Sequence, residues 1–215
     1  MHTKPIAVAQ MIVRFFSTYS IFFSVFLSGA MASTSYAQEQ TATFAGGCFW
    51  CSESDFEKLD GVIAVTSGYI GGQLKNPTYK EVSSGKTGHT EGVQIIFDSQ
   101  KISYSTLIEY FWKSIDPTDS GGQFCDRGQQ YRSEIFYHNA TQRETAETSR
   151  QAVQKNANLG APIATKITAA STFYPAEDYH QDYYLKNPIR YNYYRWGCGR
   201  DKRLEKLWGK VVKDN

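Results

Sequence analysis

Strand-like and helix-like segments alternate along the chain between residues 41 and 185. Short runs of apolar, β-branched and aromatic residues predict the strands, and apolar residues at helical spacing predict the helices. The predicted strands are residues 41–45, 62–70, 92–98, 133–138 and 162–171. The predicted helices are residues 49–59, the stretch between a Ser103 cap and Pro117, a segment from the capping box Thr141-x-x-Glu144 to about residue 157, and a short helix near residues 176–185.

Long polar or Gly-rich stretches separate these segments, at residues 73–91 and 116–130, and we predict both as loops. The order of elements favours an α+β fold, a two-layer α/β sandwich in which the helices pack on one mixed sheet. A doubly wound α/β fold is the less favoured alternative because the crossovers are irregular. The chain of 215 residues has 41% apolar residues and no internal repeat, which predicts one domain after any targeting segment is removed.

The first 37 residues have the layout of a secretory signal peptide. Lys4 and Arg14 supply positive charge, and residues 15–32 are apolar or small. Ser35 and Ala37 then place small residues at the −3 and −1 positions of a cleavage site. We therefore predict a signal peptide at residues 1–37, a folded domain at residues 38–215 and an exported, periplasmic protein.

An uncleaved membrane anchor is the alternative to a signal peptide. The apolar run is interrupted by polar residues and barely reaches the roughly 20 residues of a spanning helix. We therefore expect cleavage, and after it no stable membrane span. The formal net charge of +2 and the 20% of charged residues indicate no nucleic-acid or membrane-surface partner.

All four cysteines, Cys48, Cys51, Cys125 and Cys198, fall in the predicted mature domain. Export permits disulfides. However, a link between Cys48 and Cys51 would close almost no loop and would contribute little stability. A pair at CxxC spacing is more typical of redox or metal chemistry.

The junction Gly46-Gly47-Cys48-Phe49-Trp50-Cys51 places a cysteine between a strand end and the first turn of a helix. The N–H groups and the dipole of a helix N-terminus favour negative charge, so we expect a depressed pKa for Cys48. The two glycines allow a sharp turn and close approach of a substrate. Phe49 and Trp50 add an apolar surface. The junction therefore predicts a nucleophilic thiol beside an aromatic cradle.

Six short motifs lie in order between residues 42 and 200. They are Gly47-Cys48-Phe49-Trp50, Gly68-Tyr69-x-Gly71-Gly72, Asn76-Pro77-Thr78-Tyr79, Gly88-His89-Thr90-Glu91, Asp116-Pro117-Thr118 and Gly128-Gln129-Gln130-Tyr131-Arg132-Ser133. In this order they resemble the A-type peptide methionine sulfoxide reductase family. The resemblance implies an α/β sandwich related to the ferredoxin-like arrangement, in agreement with the fold predicted above.

The resemblance implies the roles of the reacting groups. Cys48 matches the family's nucleophile and Glu91 its general acid. Tyr79 and Tyr131 match hydroxyls that hold the sulfoxide oxygen together with Glu91. A sulfoxide oxygen must be protonated, or nearly so, before a thiolate attacks its sulfur, so the acid needs a pKa raised by burial.

Three further residues match the substrate-binding side of the family's site. Phe49 and Trp50 match the aromatic wall that receives the methyl group, and Asp126 matches a polar residue near the site. His89 also lies in a motif, but the resemblance places it in a structural loop and we assign it no catalytic role.

The implied reaction leaves methionine and a sulfenic acid on Cys48. A nearby thiol then condenses with it to form a disulfide, and an external dithiol resets the enzyme by exchange. The resemblance implies the S epimer of methionine sulfoxide, in oxidised proteins or free, as substrate, and protein repair as the role. We expect thioredoxin or a thioredoxin-like reductant as partner, no metal or cofactor, and a monomer.

The sequence leaves the resolving cysteine open. Many family members resolve with cysteines in a C-terminal tail, but here Cys51 occupies a position where Gly is common, and its CxxC spacing makes it the leading candidate. Cys198, between Gly197 and Gly199, is a second candidate that would pass the disulfide outward. We expect Cys125 to be an unreactive thiol.

Three other classes of protein fit parts of the sequence. A thioredoxin-like oxidoreductase also has CxxC after a strand, but it usually has Trp directly before the first Cys, where this chain has Gly47. A structural zinc module would need a second close cysteine pair, and Cys125 and Cys198 are far apart in sequence. An aromatic-rich carbohydrate- or peptide-binding domain has no need for Gly-Gly-Cys at a helix start.

Overall fold

The computed structural model describes residues 1–2, 38–157 and 159–209. Its strands are β1 (Glu39–Gly46), β2 (Val62–Ile70), β3 (Thr90–Asp98), β4 (Gly122–Gln123), β5 (Asp126–Arg127), β6 (Ser133–Tyr137), β7 (Lys166–Ala169) and β8 (Tyr174–Pro175). Its helices are α1 (Phe49–Phe56), α2 (Tyr79–Ser83), α3 (Tyr104–Lys113), α4 (Ala140–Asn156), α5 (Tyr183–Lys186), α6 (Pro188–Gly197) and α7 (Arg200–Trp208). Apart from its first two residues, the predicted signal peptide lies outside the described residues.

Six of the strands form one mixed sheet in the order β7-β6-β1-β3-β2-β8. The pairs within β1, β2, β3, β6 and β8 are antiparallel, and β6 pairs with β7 in parallel. β4 and β5 form a separate small hairpin. Helices pack on this sheet, so the predicted α+β two-layer architecture with a mixed sheet is the observed one.

Alternating side chains of β1 divide the apolar residues between two faces, as expected for a strand with period two. Phe44 faces the main core, where its ring stacks on Phe56 of α1 at 5.4 Å and on Phe111 of α3 at 4.9 Å. Ala45 faces the opposite side and packs with Ile70 and Phe136 in a smaller cluster. Because β1 lies at the centre of the sheet, its end carries the following turn into the middle of the molecule.

Local signals placed several elements correctly. β2 has the predicted bounds, and the predicted strands at residues 41–45 and 92–98 lie within β1 and β3. Ser103 caps α3 by accepting the backbone N–H of Thr106 at 3.0 Å. α1 is shorter than predicted and ends at Phe56, and the predicted strand at residues 162–171 is reduced to the four residues of β7.

The predicted capping box at Thr141 is wrong. α4 begins two residues earlier, because the side chain of Asn139 accepts the backbone N–H of Gln142 at 2.9 Å. Asn is among the best N-cap residues. Thr141 instead lies within the first turn, and a box at Thr78 and Glu81 opens α2.

Both predicted loops contain regular structure. Residues 73–91 include α2 and the start of β3, so Glu91 lies on a strand that pairs with Tyr69 of β2. Residues 116–130 contain the β4–β5 hairpin and most of a short 3-10 helix at Gln129–Tyr131. These elements are too short for a periodic pattern to reveal them.

The C-terminal residues form two further helices after the short helix that was predicted near residues 176–185. α5 covers only Tyr183–Lys186, and α6 and α7 follow it. Two side chains fix α7 to the core. Trp208 donates its indole N–H to the carbonyl of Ile115 at 3.1 Å, and Arg203 pairs with Asp116. No helix among the described residues is long and apolar enough to cross a membrane.

Gly47 is the residue that the turn between β1 and α1 requires. Its φ is +82°, and a Cβ atom there would lie 2.6 Å from the Cβ of Gln123. Gln123 is itself fixed by two hydrogen bonds to the backbone of Asp116. A residue with a side chain at position 47 would therefore be disfavoured twice, by the positive φ and by the clash with Gln123.

We expect Gly47→Ala to lower the free energy of unfolding by more than the matched change Gly160→Ala, measured by urea denaturation. Gly160 also has a positive φ, but a Cβ there meets nothing within 4 Å. The control therefore reports the backbone cost alone, about 1–2 kcal/mol. Equal losses in the two variants would contradict the close packing of Gly47 on Gln123.

Candidate active site

The turn after β1 delivers Cys48 to the N-terminus of α1. Cys48 is the N-cap residue, with φ −52° and ψ 119°, and its carbonyl accepts the N–H of Cys51 at 3.1 Å. Both cysteines are free thiols, and they are 6% and 2% exposed. The CxxC pair therefore lies inside the protein, at the junction of the sheet and the first helix.

The two thiols have opposite pKa shifts. Burial raises the pKa of Cys48, and its hydrogen bond to Cys51 and the charges of Cys51, Glu91 and Asp126 act in the same direction. The pKa of Cys51 is lowered, first by the hydrogen bond that the Cys48 thiol donates to it and then by Arg200 and Arg195. In the unliganded site, negative charge is therefore favoured on Cys51.

The predicted depressed pKa of Cys48 is wrong for this state. The first N–H group of α1 does not stabilise the Cys48 sulfur. It belongs to Phe49 and donates to the carboxyl of Glu91 at 3.0 Å. With that donor occupied, desolvation decides the pKa of Cys48.

Glu91 projects from β3 into the same buried space and is 3% exposed. Burial raises its pKa to about 8, against the opposing effect of the Phe49 N–H, and the nearby charges of Asp126 and Cys51 raise it further. A carboxyl of this kind carries its proton at neutral pH. It can therefore donate a hydrogen bond or a proton to a group placed beside Cys48.

Two tyrosine hydroxyls lie close to Glu91. Tyr79 is the first residue of α2, and Tyr131 ends the 3-10 helix before β6. Burial and the charge of Glu91 raise the pKa of Tyr79 to about 12, and the same two causes raise the pKa of Tyr131. The two hydroxyls hydrogen-bond each other. Both stay protonated near neutral pH and add donors without adding charge.

Glu177 fixes the position of Tyr79. Its carboxylate accepts the backbone N–H of Tyr79 at 2.8 Å and the hydroxyl of Tyr69 at 2.8 Å. The N-terminus of α2 is thereby tied to the edge of β2. The sequence analysis did not identify Glu177, because its two partners lie about one hundred residues before it.

The two predicted wall residues differ in exposure. Phe49 is only 1% exposed and packs among Tyr69, Tyr79 and His180, whereas Trp50 is half-buried. Trp50 is held in place by Tyr183, which stacks on it at 3.7 Å and 5°. Of the two rings, Trp50 is the more exposed, and it packs against the cluster that contains Cys48.

His180 fixes the other edge of Trp50. The indole N–H of Trp50 donates to Nδ1 of His180 at 3.0 Å, and the His180 ring lies 4.4 Å from the ring of Tyr79. His180 was not predicted as a site residue, because it lies in none of the six motifs. His89, by contrast, lies outside this group: its ring anchors the loop after β2 by hydrogen bonds to Gly72 and Leu74.

Asp126 and Tyr194 close the site on its outer side. Asp126 is the first residue of β5 and is half-buried, and burial raises its pKa. The hydroxyl of Tyr194, on α6, donates to the Asp126 carboxylate. Tyr194 also hydrogen-bonds Cys48, and burial and the charge of Cys48 raise its pKa. Asp126 and Cys48 are therefore linked by a residue that the prediction omitted.

Cys125 and Cys198 form a disulfide, with Cα atoms 4.9 Å apart. The expectation that Cys125 is an unreactive free thiol is therefore wrong. Cys198 is not a free thiol in this state either, so Cys51 is the thiol that stands beside Cys48. The pairing joins residues 73 positions apart, which spacing along the chain could not indicate.

Comparisons with known proteins agree with this geometry. Residues 40–212 match the family model described as "Peptide methionine sulfoxide reductase". The chain belongs to the peptide methionine sulfoxide reductase family. The peptide methionine sulfoxide reductase MsrA of Bacillus licheniformis is 53% identical over 173 residues, which are 80% of this chain and 96% of that protein. The family resemblance drawn from the six motifs is thereby confirmed.

A second relative shows that the domain also occurs within a longer protein. The peptide methionine sulfoxide reductase MsrA/MsrB of Vibrio cholerae is 50% identical over 192 residues, which are 89% of this chain. The chain spans only 51% of that protein's length.

Solved structures of the family share the fold. Mxr1 from Saccharomyces cerevisiae in its reduced form superposes with a TM-score of 0.66 at 33% identity, covering 70% of this chain and 86% of that chain. Methionine sulfoxide reductase A of Corynebacterium diphtheriae gives a TM-score of 0.63 at 32% identity, covering 70% and 76%.

Two arginines of this reductase-family member complete the site from the C-terminal helices. Arg200 is 2% exposed and donates to the carbonyls of Gly46 and Ser114, and Arg195 pairs with Asp55 at 2.8 Å. Both lower the pKa of Cys51. No sequence signal marked them, because their partners lie on distant elements.

Proposed function

We propose that the protein reduces the S epimer of methionine sulfoxide, free and in oxidised proteins, to methionine, and so repairs oxidative damage. The observation that carries the proposal is the burial of the Glu91 carboxyl beside the thiol of Cys48, which raises the pKa of Glu91 to about 8. A thiol and a neutral acid in one apolar space suit a substrate whose oxygen must gain a proton while its sulfur is attacked. The relatives named above are peptide methionine sulfoxide reductases, and the S epimer follows from the A-type family.

The first step transfers the sulfoxide oxygen to Cys48. Glu91 protonates the oxygen, and the hydroxyls of Tyr79 and Tyr131 hold it by hydrogen bonds. The methyl group lies against Trp50. The Cys48 sulfur attacks, and the proton that the thiol loses replaces the one that Glu91 gives to the oxygen. The products are methionine and a sulfenic acid on Cys48.

The second step forms the Cys48–Cys51 disulfide. The thiol of Cys51 attacks the Cys48 sulfur, and the sulfenic oxygen leaves as water. Cys51 is suited to this role because it lies one helical turn from Cys48 and has a lowered pKa. Cys198 is less suited to act first, since it is held by Cys125.

The third step is exchange with an external dithiol, which we infer to be thioredoxin or a thioredoxin-like protein. We also propose that the protein acts as a monomer and, on the strength of residues 1–37, that it works in the periplasm after the signal peptide is removed. An exported protein would meet a thioredoxin-like donor of that compartment. Intact-mass analysis of the exported protein tests the cleavage, and a retained segment 1–37 would contradict it.

We expect the purified protein to reduce the S epimer of methionine sulfoxide and not the R epimer, with dithiothreitol as reductant. Cys48→Ser should abolish turnover, because it removes the thiol that attacks the sulfoxide sulfur. Methionine is measured by chromatography. Reduction of insulin disulfides with no turnover of either epimer would instead favour a disulfide oxidoreductase.

We expect the rate of oxygen transfer to fall as pH rises through about 8, because Glu91 then loses the proton that it must donate. Glu91→Gln should bind the substrate but lose at least about 10²-fold in turnover at neutral pH. Single-turnover rates across pH 6 to about 10 measure both effects. The matched variant Glu134→Gln makes the same substitution at another buried glutamate, on β6, and is the control for the substitution itself. Full activity in Glu91→Gln contradicts the acid role.

A further inference from the structure

Three carboxylates meet where α1 ends and α5 begins. Glu53 and Glu57 lie one helical turn apart, in the last turn and at the C-cap of α1, and Asp182 directly precedes α5. An oxygen of each carboxylate lies within 4.8 Å of an oxygen of the other two. The proposed reaction uses none of these three residues.

The carboxyl of Glu53 is enclosed by the protein. The residue is 0% exposed, and neither of its oxygens has a hydrogen-bond partner among the described residues. The hydroxyl of Ser67, which lies beside it on β2, is also buried and has no partner in the same part of the chain. Native proteins rarely leave a buried polar group unpaired, because its loss of hydration is costly. The two groups therefore indicate that Glu53 takes a partner from outside the chain.

The charge around Glu53 favours a cation as that partner. Burial raises the pKa of Glu53 to about 7, and the charges of Glu57 and Asp182 raise it further. The N–H of Asp182 and the hydroxyl of Ser67 act in the opposite direction, but neither completes a hydrogen bond with Glu53. Lys186 lies 3.5 Å from Asp182 and balances one of the three negative charges. A divalent cation would balance the other two.

The ligand atoms and their spacing favour Ca²⁺ among the divalent cations. Carboxylate and hydroxyl oxygens suit Ca²⁺, Mg²⁺ and Mn²⁺, whereas zinc and copper favour nitrogen and sulfur. Bonds from Ca²⁺ to oxygen are about 2.3–2.6 Å long, so two ligands of one ion lie at most about 5 Å apart. The three carboxylates meet this limit as they stand. Mg²⁺ gives up its water molecules reluctantly, and the Glu53 side of the group is closed to water.

We propose that Glu53, Glu57 and Asp182 bind one Ca²⁺ ion between α1 and α5. The Ser67 hydroxyl is placed beside Glu53 as a neutral ligand. Water completes the coordination on the open side, where the Asp182 side chain is 47% exposed and the ion can enter. The family resemblance led us to expect no metal, and no sequence motif joins Asp182 to the two glutamates.

The ion would stabilise the segment that holds Trp50. Asp182 lies between two residues that fix this ring, since His180 accepts its indole N–H and Tyr183 stacks on it. α1 carries Trp50 as well as Glu53. An ion bound to both elements would therefore hold Trp50 together with its two supports, and it would stabilise the folded chain.

Calcium titration of the metal-free protein tests the site. The purified protein is treated with EDTA, freed of it, and titrated with Ca²⁺ in an isothermal titration calorimeter. We expect about one equivalent to bind with a Kd below about 1 mM, as in extracellular calcium modules. The Tm should rise by at least about 5 °C when Ca²⁺ is present at about one hundred times the Kd.

Two variants at the partly exposed ligands locate the ion. Glu57→Gln and Asp182→Asn should each weaken Ca²⁺ binding at least about tenfold, because each removes a charged ligand. Glu53→Gln is less suitable, since a change at a fully buried residue also disturbs packing. Asp178→Asn is the matched control: it removes the same charge from an exposed residue in the same segment and should leave the Kd unchanged.

The possible outcomes separate this site from the proposed function. Absence of binding to the unmodified protein would overturn the calcium site. An unchanged Kd in both Glu57→Gln and Asp182→Asn would overturn it too, because the ion would then bind elsewhere. Tighter binding of Mg²⁺ than of Ca²⁺ would contradict the choice of ion. No substrate is present in these titrations, so each of these results leaves the proposed reductase function intact.

Discussion

The hydrogen bond from the Phe49 N–H to Glu91 connects the two halves of the site. It joins β3 to the first turn of α1, and so fixes the carboxyl against the residue that follows Cys48. Both the Glu91 carboxyl and the Cys48 sulfur could accept an N–H group at the start of α1. A helix N-terminus offers its N–H groups to the nearest acceptor, and here that acceptor is the carboxyl rather than the sulfur. Yet the donor only moderates the effect of burial, and Glu91 keeps a raised pKa.

This arrangement divides charge and protons between groups that lie in contact. Glu91 holds the proton that a sulfoxide oxygen would need, while Cys51 is the thiol on which negative charge is favoured. Arg200 and Arg195 supply the positive charge that stabilises Cys51, and both come from the C-terminal helices. The tail is therefore part of the electrostatics of the site. Arg200 also fixes the backbone of the site, since it donates a hydrogen bond to the carbonyl of Gly46 at the end of β1.

The parts of the fold that the sequence predicted are those with local causes. β2 and the Ser103 cap of α3 follow from runs and caps that a few neighbouring residues define. α2 and the β4–β5 hairpin are too short for periodicity. α6 was missed because three of its apolar residues, Ile189, Tyr193 and Trp196, face solvent rather than the core, so the pattern of a core-packed helix is weakened.

The site residues that the sequence predicted also have local causes, and those that it missed depend on the folded chain. Motifs gave Cys48, Glu91 and Tyr79, because each lies within a compact signature. The pKa of Cys48 could not be predicted, because burial depends on α6 and on the sheet together. The Cys125–Cys198 link, and the contact of Tyr194 with Asp126, join residues about seventy positions apart. Only the folded chain brings such residues together.

The protonation state of Glu91 in the folded protein is the most direct test of this account. Carbon-13 NMR of protein labelled at the glutamate carboxyl carbon, titrated with pH, follows each carboxyl separately, and the resonance absent from Glu91→Gln identifies the residue. The account predicts a midpoint of about 8 for that resonance. A midpoint near the ordinary glutamate value of about 4.3 would show an ionised carboxylate at neutral pH. That result would contradict a site built on a protonated acid beside Cys48.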